Sequence, residues 1–210
     1  VLAGLFRWRR SNARKSRVVR QRVDAELDPQ NSGVRWLHPI GQVYSRRPAF
    51  RWIGTDSHVQ GKLRVEAHLL EGGVSQQRSS PLVVASVSGR SCRFPGGDLD
   101  LAEGGRFMAR LEIVGESSEL TVRFHVASRE LRQSMKRDLA EIATHGGRAV
   151  RYLRAEYLMS QRCLSEAREE IERLRIGNER NLHLIGRLLV VCEHLHLVHE
   201  VAALSALMVK

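Results

Sequence analysis

Cys192, His196 and His199 fall at i, i+4 and i+7. On one unbroken helix that spacing would put a thiolate and two imidazoles on a single face, three ligands for a metal ion. Glu193 and His194 stand beside them. Residues 194–198 also read as a turn between two helices, which would split the face. Turn and helix-end histidines are the preferred reading, and no metal or other cofactor is expected. Cys92 follows Ser91 and lies between Arg90 and Arg93, where neighbouring guanidinium groups could activate a thiolate. A buried strand cysteine is the preferred alternative. Asp98 and Asp100 would share a face on a strand, but in Gly96-Gly97-Asp98-Leu99-Asp100 they read as a solvated turn. The Gly-Gly pairs at 72–73, 96–97, 104–105 and 146–147 sit in turns, not between the strand and helix of a phosphate-binding unit. The sequence lacks G-x-x-x-x-G-K, G-x-S-x-G, H-E-x-x-H and the kinase set. No catalytic residues are assigned, and a non-enzymatic protein is expected.

The elements that would have to position such groups divide the 210 residues in three. The first part is a basic arm, residues 1–33. Arg7, Arg9, Arg10, Arg14, Lys15, Arg17, Arg20 and Arg22 occur in its first 22 residues with no acid. The remaining 26 bases face 23 acids, so the body carries only +3 of the net +11. A local anionic partner for the arm follows better than steering by the whole protein. Val1-Leu2-Ala3-Gly4-Leu5-Phe6, then Trp8 among arginines, reads as the last turns of a membrane helix and its flank. With no initiating Met, a fragment of a longer membrane protein is one expectation. Anionic headgroups would attract such a cluster by about 1 kcal/mol per base near the surface. The positive-inside tendency then implies the cytoplasmic face, with the periplasm as the alternative. A passive disordered tail and a nucleic-acid arm are the other readings. Phe6 and Trp8 are the arm's stacking residues, both at one end, which suits single-stranded nucleic acid poorly.

From 34 to 128, turn residues recur every 8–15 positions, from Pro39 and Gly41 to Gly115. Strands are predicted at Val34–Leu37, Ala49–Ile53, Leu63–Leu69, Leu82–Ser86, Cys92–Phe94, Phe107–Val114 and Leu120–Val126. Leu63, Val65 and Ala67 alternate with Arg64, Glu66 and His68, and Leu120, Val122, Phe124 and Val126 with Thr121, Arg123 and His125. That period of two predicts one buried face and one wet face. Phe50 and Trp52 share a parity and are predicted to be core. The whole stretch suits an antiparallel β-sandwich.

Two motifs carry a resemblance. His38-Pro39, Gly41 and Arg47-Pro48-Ala49-Phe50-Arg51-Trp52 resemble the opening of bacterial immunoglobulin-like or fibronectin type III-like domains. Leu99, Leu101, Gly104-Gly105, Phe107, Ala109 and Leu111 are similar to a later strand of the same domains, with Ala109 where Trp is usual. The resemblance implies a sandwich over 34–128 and says nothing of function.

Beyond Ser128 the apolar spacing becomes helical. Leu131, Met135, Leu139 and Ile142 predict a helix ended by Gly146-Gly147, followed by helices around 149–158, 165–174, 182–195 and 199–208, with Gly177-Asn178 as a stop. Leu164, Glu166, Ala167, Ile171 and Leu174 resemble the second helix of a tetratricopeptide repeat, and Val198 and Glu200 lie 34 residues after Leu164 and Glu166. Arg151 and Arg154 stand where large apolar residues are usual. A plain helical bundle is the alternative. The fold class expected is therefore segregated α+β: an antiparallel β-sandwich, then an α-helical hairpin or tetratricopeptide-like segment at 129–210. About one and a half to two degenerate repeats over 148–208 do not stand alone, so the helices must pack on the sandwich, continue in a partner, or dimerise. The last two helices hold more apolar residues than one face needs, which predicts a contact surface for another subunit or for self-association. Leu188, Leu189, Val198, Val201, Leu204 and Leu207 are its candidate residues. Cys92, Cys163 and Cys192, scattered and odd in number, suit free thiols.

Overall fold

The computed structural model describes residues 34–53, 59–71, 74–77, 81–115 and 119–208. The basic arm and its eight side chains lie outside the described residues. Nine strands precede five helices among the described residues, an α+β arrangement: β1 (Arg35–His38), β2 (Gly41–Val43), β3 (Phe50–Ile53), β4 (Val59–Glu71), β5 (Val74–Gln77), β6 (Val83–Gly89), β7 (Ser91–Cys92), β8 (Arg106–Ile113), β9 (Glu119–Val126), α1 (Arg129–Ala143), α2 (Gly147–Ser160), α3 (Leu164–Arg175), α4 (Leu182–His194) and α5 (Val198–Met208).

One sheet has the order β1-β3-β7. The other runs β2-β9-β8-β4-β5, with β6 also paired to β4. Every pairing is antiparallel except β2 with β9, where Gly41 to Val43 lie opposite Phe124 to Val126 in parallel. Neither β2 nor β5 is among the predicted strands. The period of two is visible in the packing. Leu63 and Val65 of β4, Ala109 and Leu111 of β8, and Val122, Phe124 and Val126 of β9 all face inward. Glu66 departs from this pattern: it sits on the opposite face yet is buried, because Arg110 of the neighbouring strand covers it at 3.4 Å.

The two sheets meet through aromatic rings. Trp36 stands edge-on to Trp52 at 6.0 Å and to Phe50 at 6.2 Å, and Phe50 reaches across to Phe124 of the larger sheet at 6.1 Å. Phe50 and Trp52 are buried with Arg51 turned outward, as their parity predicts. Such edge-to-face contacts between rings add to the area each ring removes from water.

Ser128 caps α1, its Oγ accepting the Leu131 N–H at 3.3 Å. Gly146 and Gly147, at φ +70° and +66°, carry the chain from α1 into α2 through left-handed backbone, which glycine adopts without the usual Cβ penalty. Asn181 caps α4 through Leu184 N–H. Each helix packs on the next, and their apolar residues join those of the sheets in one core that runs from Val34 through Ile171 and Leu188 to Leu204. A smaller cluster, Met135, Leu158, Cys163 and Ala167, ties α1 to α2 and α3. Packing on the sheets is thus one of the three fates open to the helices that this arrangement shows. Among the described residues no helix is long and apolar enough to cross a membrane.

Candidate partner-binding groove on the C-terminal helices

The groove is positioned by α3, and α3 is positioned by the sheets. Ser165, in its first turn, has its Oγ 3.0 Å from both the amide and the carbonyl of Ile40. Beside it, Glu166 Oε1 accepts the N–H groups of Tyr44 at 2.7 Å and Ser45 at 3.5 Å. Gln42 of β2 donates to the Gln161 carbonyl at 2.8 Å, and its oxygen faces His125 of β9 at 3.3 Å. Arg132 of α1 donates to the Tyr44 carbonyl at 2.8 Å, pairs with Glu103, and lies over the Tyr44 ring. A helix N-terminus normally leaves amides unsatisfied; here it carries side chains that satisfy the amides of another segment.

This junction is dry enough to move titrations. Burial pushes the Glu166 carboxyl up to about 7 against the three amides, of Tyr44, Ser45 and Glu166 itself, that favour its charged form. Burial likewise pushes the Cys163 thiol up to about 12. His38 is driven down to about 3, first by burial and then by Arg51 and Arg168. It is therefore neutral near pH 7, and its 3.8 Å approach to Glu169 is not an ion pair.

Further along α3, toward its C-terminal end, a groove of about 280 Å³ opens between α3, α4 and α5. Arg168, Glu172 and Arg175 of α3 form one wall, Leu188 and Cys192 of α4 with Leu204 of α5 the floor, and Glu200, Ala203 and Leu207 of α5 the other wall. Arg168 is buried and pairs with Glu172 at 2.7 Å. Helix α5 is held mainly by Leu204, its one buried residue, and Glu200 reaches Arg35 of β1 at 3.8 Å.

Three of the six candidate contact residues meet here: Leu188 and Leu204 at the base and Leu207, 43% exposed, at the lip. Val198 lies at the start of α5 with 71% of its surface open. Leu189 and Val201 are half-buried and pack against the core. The polar wall was absent from the sequence reading, although Arg168, Glu172 and Arg175 recur at i, i+4 and i+7 on a predicted helix and so announce a shared face.

The groups with chemical potential are dispersed. Helix α4 ends at His194 and α5 begins at Val198, with His196 between them in left-handed backbone at φ +56°. The turn separates Cys192 from His199, and burial pushes the Cys192 thiol up to about 11. No group of three or more His, Cys, Asp or Glu among the described residues is arranged to hold a metal ion. Burial also raises the Cys92 thiol, the reverse of activation, and its Sγ donates to the Arg93 carbonyl. Asp100 is engaged by Arg47 at 2.6 Å and Arg46 at 3.2 Å, and the Arg47 hydrogen bond holds its carboxyl below the usual range.

No protein-family model matches this sequence, and no curated protein matches it.

Proposed function

We propose that the chain is a non-enzymatic assembly or regulatory subunit of a bacterial, membrane-associated complex, gripping another protein, or a second copy of itself, through its C-terminal helices. One observation carries this reading. Helix α5 is apolar around much of its circumference, yet Leu207 is 43% exposed at the lip of an apolar-floored groove, and Val198 and Met208 elsewhere on the same helix are 71% and 46% exposed. Exposed apolar surface bordered by charge is what protein contacts bury.

The finer fold readings belong to the same proposal. The order β9-β8-β4, with β3 in the facing sheet, supports an immunoglobulin-like sandwich, in which the second-last strand lies between the last strand and an earlier one. Helices α2 and α4 are linked through long side chains, with Arg187 paired to Glu156 and the Tyr152 hydroxyl 2.9 Å from His183 Nε2, which supports tetratricopeptide-like stacking. The arm's arginines serve an anionic membrane surface, on the cytoplasmic side.

The test is a double variant, V198D/L207D, in the full chain. Light scattering after gel filtration reports self-association, and pull-down from native membranes reports partner capture. Loss of both species by the variant, with an unchanged melting curve, supports the groove. An unchanged mass and an unchanged set of captured proteins would refute it. Removing residues 1–22 takes away eight bases and lowers the net charge to +3; anionic vesicles should then release the protein, and no change would leave the arm a passive tail.

A further inference from the structure

A second surface, separate from the groove, carries an excess of positive charge. Glu170 is buried at the α2–α3 contact, and three guanidinium groups converge on it: Arg173 at 3.0 Å, Arg154 at 3.3 Å and Arg151 at 3.4 Å. Beside it Glu169 is met by Arg173 at 3.4 Å and by Arg51 of β3 at 3.5 Å. Four arginines from three elements thus share two carboxylates, a local charge of +2. His38, the imidazole facing Glu169, is neutral and does not change that sum.

Stability does not demand this arrangement. Arg173, one turn from Glu170 on the same helix, already compensates it, and half-exposed ion pairs add little. Arg151 and Arg154 occupy positions where a tetratricopeptide-like pair of helices carries apolar residues. The four side chains are between 40% and 52% exposed. Each guanidinium has five N–H groups and spends only one or two on the two carboxylates, so donors of fixed direction remain. The two glutamates, Glu170 buried and Glu169 partly so, act as struts that hold the guanidinium planes in place before anything binds, which lowers the entropy cost of binding.

We propose that Arg51, Arg151, Arg154 and Arg173 form a docking surface for a carboxylate-rich segment of a partner protein, with Glu169 and Glu170 fixing their orientation. The alternation of charge along the row selects the ligand. A peptide can set its acidic side chains against the arginines and leave gaps at the two glutamates. A phosphate backbone carries charge at every step and would meet both glutamates. Nor is a ring free for base stacking at this edge of α2: Tyr152, next to Arg151, lies 5.6 Å from His183 and faces it.

The probe is fluorescein-labelled octaglutamate, titrated at low salt with the full chain, its R151Q/R154Q variant and its R51Q variant. Glu170 and Glu169 both keep Arg173 in these variants, so the fold has no uncompensated buried charge, and melting curves verify it. The eight bases of the arm are common to all three proteins and add the same background to each titration, which competition with a peptide of residues 1–22 measures. Affinity should fall roughly fivefold to tenfold in R151Q/R154Q and less in R51Q. The V198D/L207D groove variant should bind the peptide as the parent does, which separates this proposal from the groove. Equal affinities for all three proteins would overturn it. So would an oligothymidylate of equal charge that displaces the peptide from the parent more effectively than unlabelled octaglutamate does.

Discussion

Ser165 and Ile40, 125 positions apart, make two hydrogen bonds through one hydroxyl: its oxygen accepts the Ile40 amide and its proton goes to the Ile40 carbonyl, each over 3.0 Å. Both residues are buried, so no water substitutes. This contact fastens the first turn of α3 to the segment between β1 and β2, and through α3 it sets the wall of the groove.

Replacing Ser165 with Ala leaves an amide and a carbonyl buried and unpaired. Each costs about 1–3 kcal/mol. We expect S165A to lose about 2–4 kcal/mol of stability in urea titrations, with a similar slope. A loss below about 1 kcal/mol would show that the contact is dispensable.

Glu166 and His38 give opposing pH dependences. The Glu166 carboxyl titrates near 7 in the fold against an ordinary 4.5, so its contribution is fully present below pH 4.5 and is lost as pH rises through 7. His38 titrates near 3 against an ordinary 6.5, so its contribution is present above 6.5 and is lost as pH falls toward 3. Between pH 4.5 and 6.5 these two slopes oppose each other and stability should form a near-plateau, tilted toward higher pH by His125, whose imidazole burial also lowers. E166Q removes one slope, so stability should then rise with pH across that window. H38N removes the other, and stability should fall. Denaturant midpoints at four or five pH values measure this, and a profile unchanged by either substitution made alone would refute it.

Trp52 is 1% exposed, stands edge-on to Trp36, and donates its indole N–H to the Gly89 carbonyl at 2.8 Å. W52A should cost about 3–5 kcal/mol. W52F keeps a ring but abandons the carbonyl, and roughly half that loss is expected. Because the sheets and helices share one core, far-ultraviolet signals from both should disappear in a single transition; separate midpoints would argue against shared packing.

The three thiols should differ in reactivity. Cys92 is partly exposed, whereas Cys163 and Cys192 are 0% and 1% exposed with thiols held near 12 and 11. At pH 8 an aromatic disulfide reagent should label Cys92 first and the other two only at the rate of opening. Equal labelling of all three in the native protein would contradict the burial.

Much of the architecture is present in the chain's local patterns. Alternation in 63–67 and 120–126, the paired parity of Phe50 and Trp52, and the shift to helical spacing after Ser128 each depend on neighbours a few residues away. Strands followed by helices, the cap at Ser128 and the turn at 194–198 follow from them. What needed the tertiary structure is long-range and polar. β2 is three residues long and pairs in parallel with β9, and β5 is Val-Ser-Gln-Gln, so neither has an apolar rhythm to betray it. Leu188 and Leu204 lie at the base of the groove while Val198 stays open, a sorting among equally apolar residues that depends on which helix packs where. Ser165, Glu166 and Gln42 look like ordinary surface residues in sequence. Their roles exist only once folding brings a backbone segment more than a hundred residues away within 3 Å, because a hydrogen bond has no signature in a chain until its partner arrives.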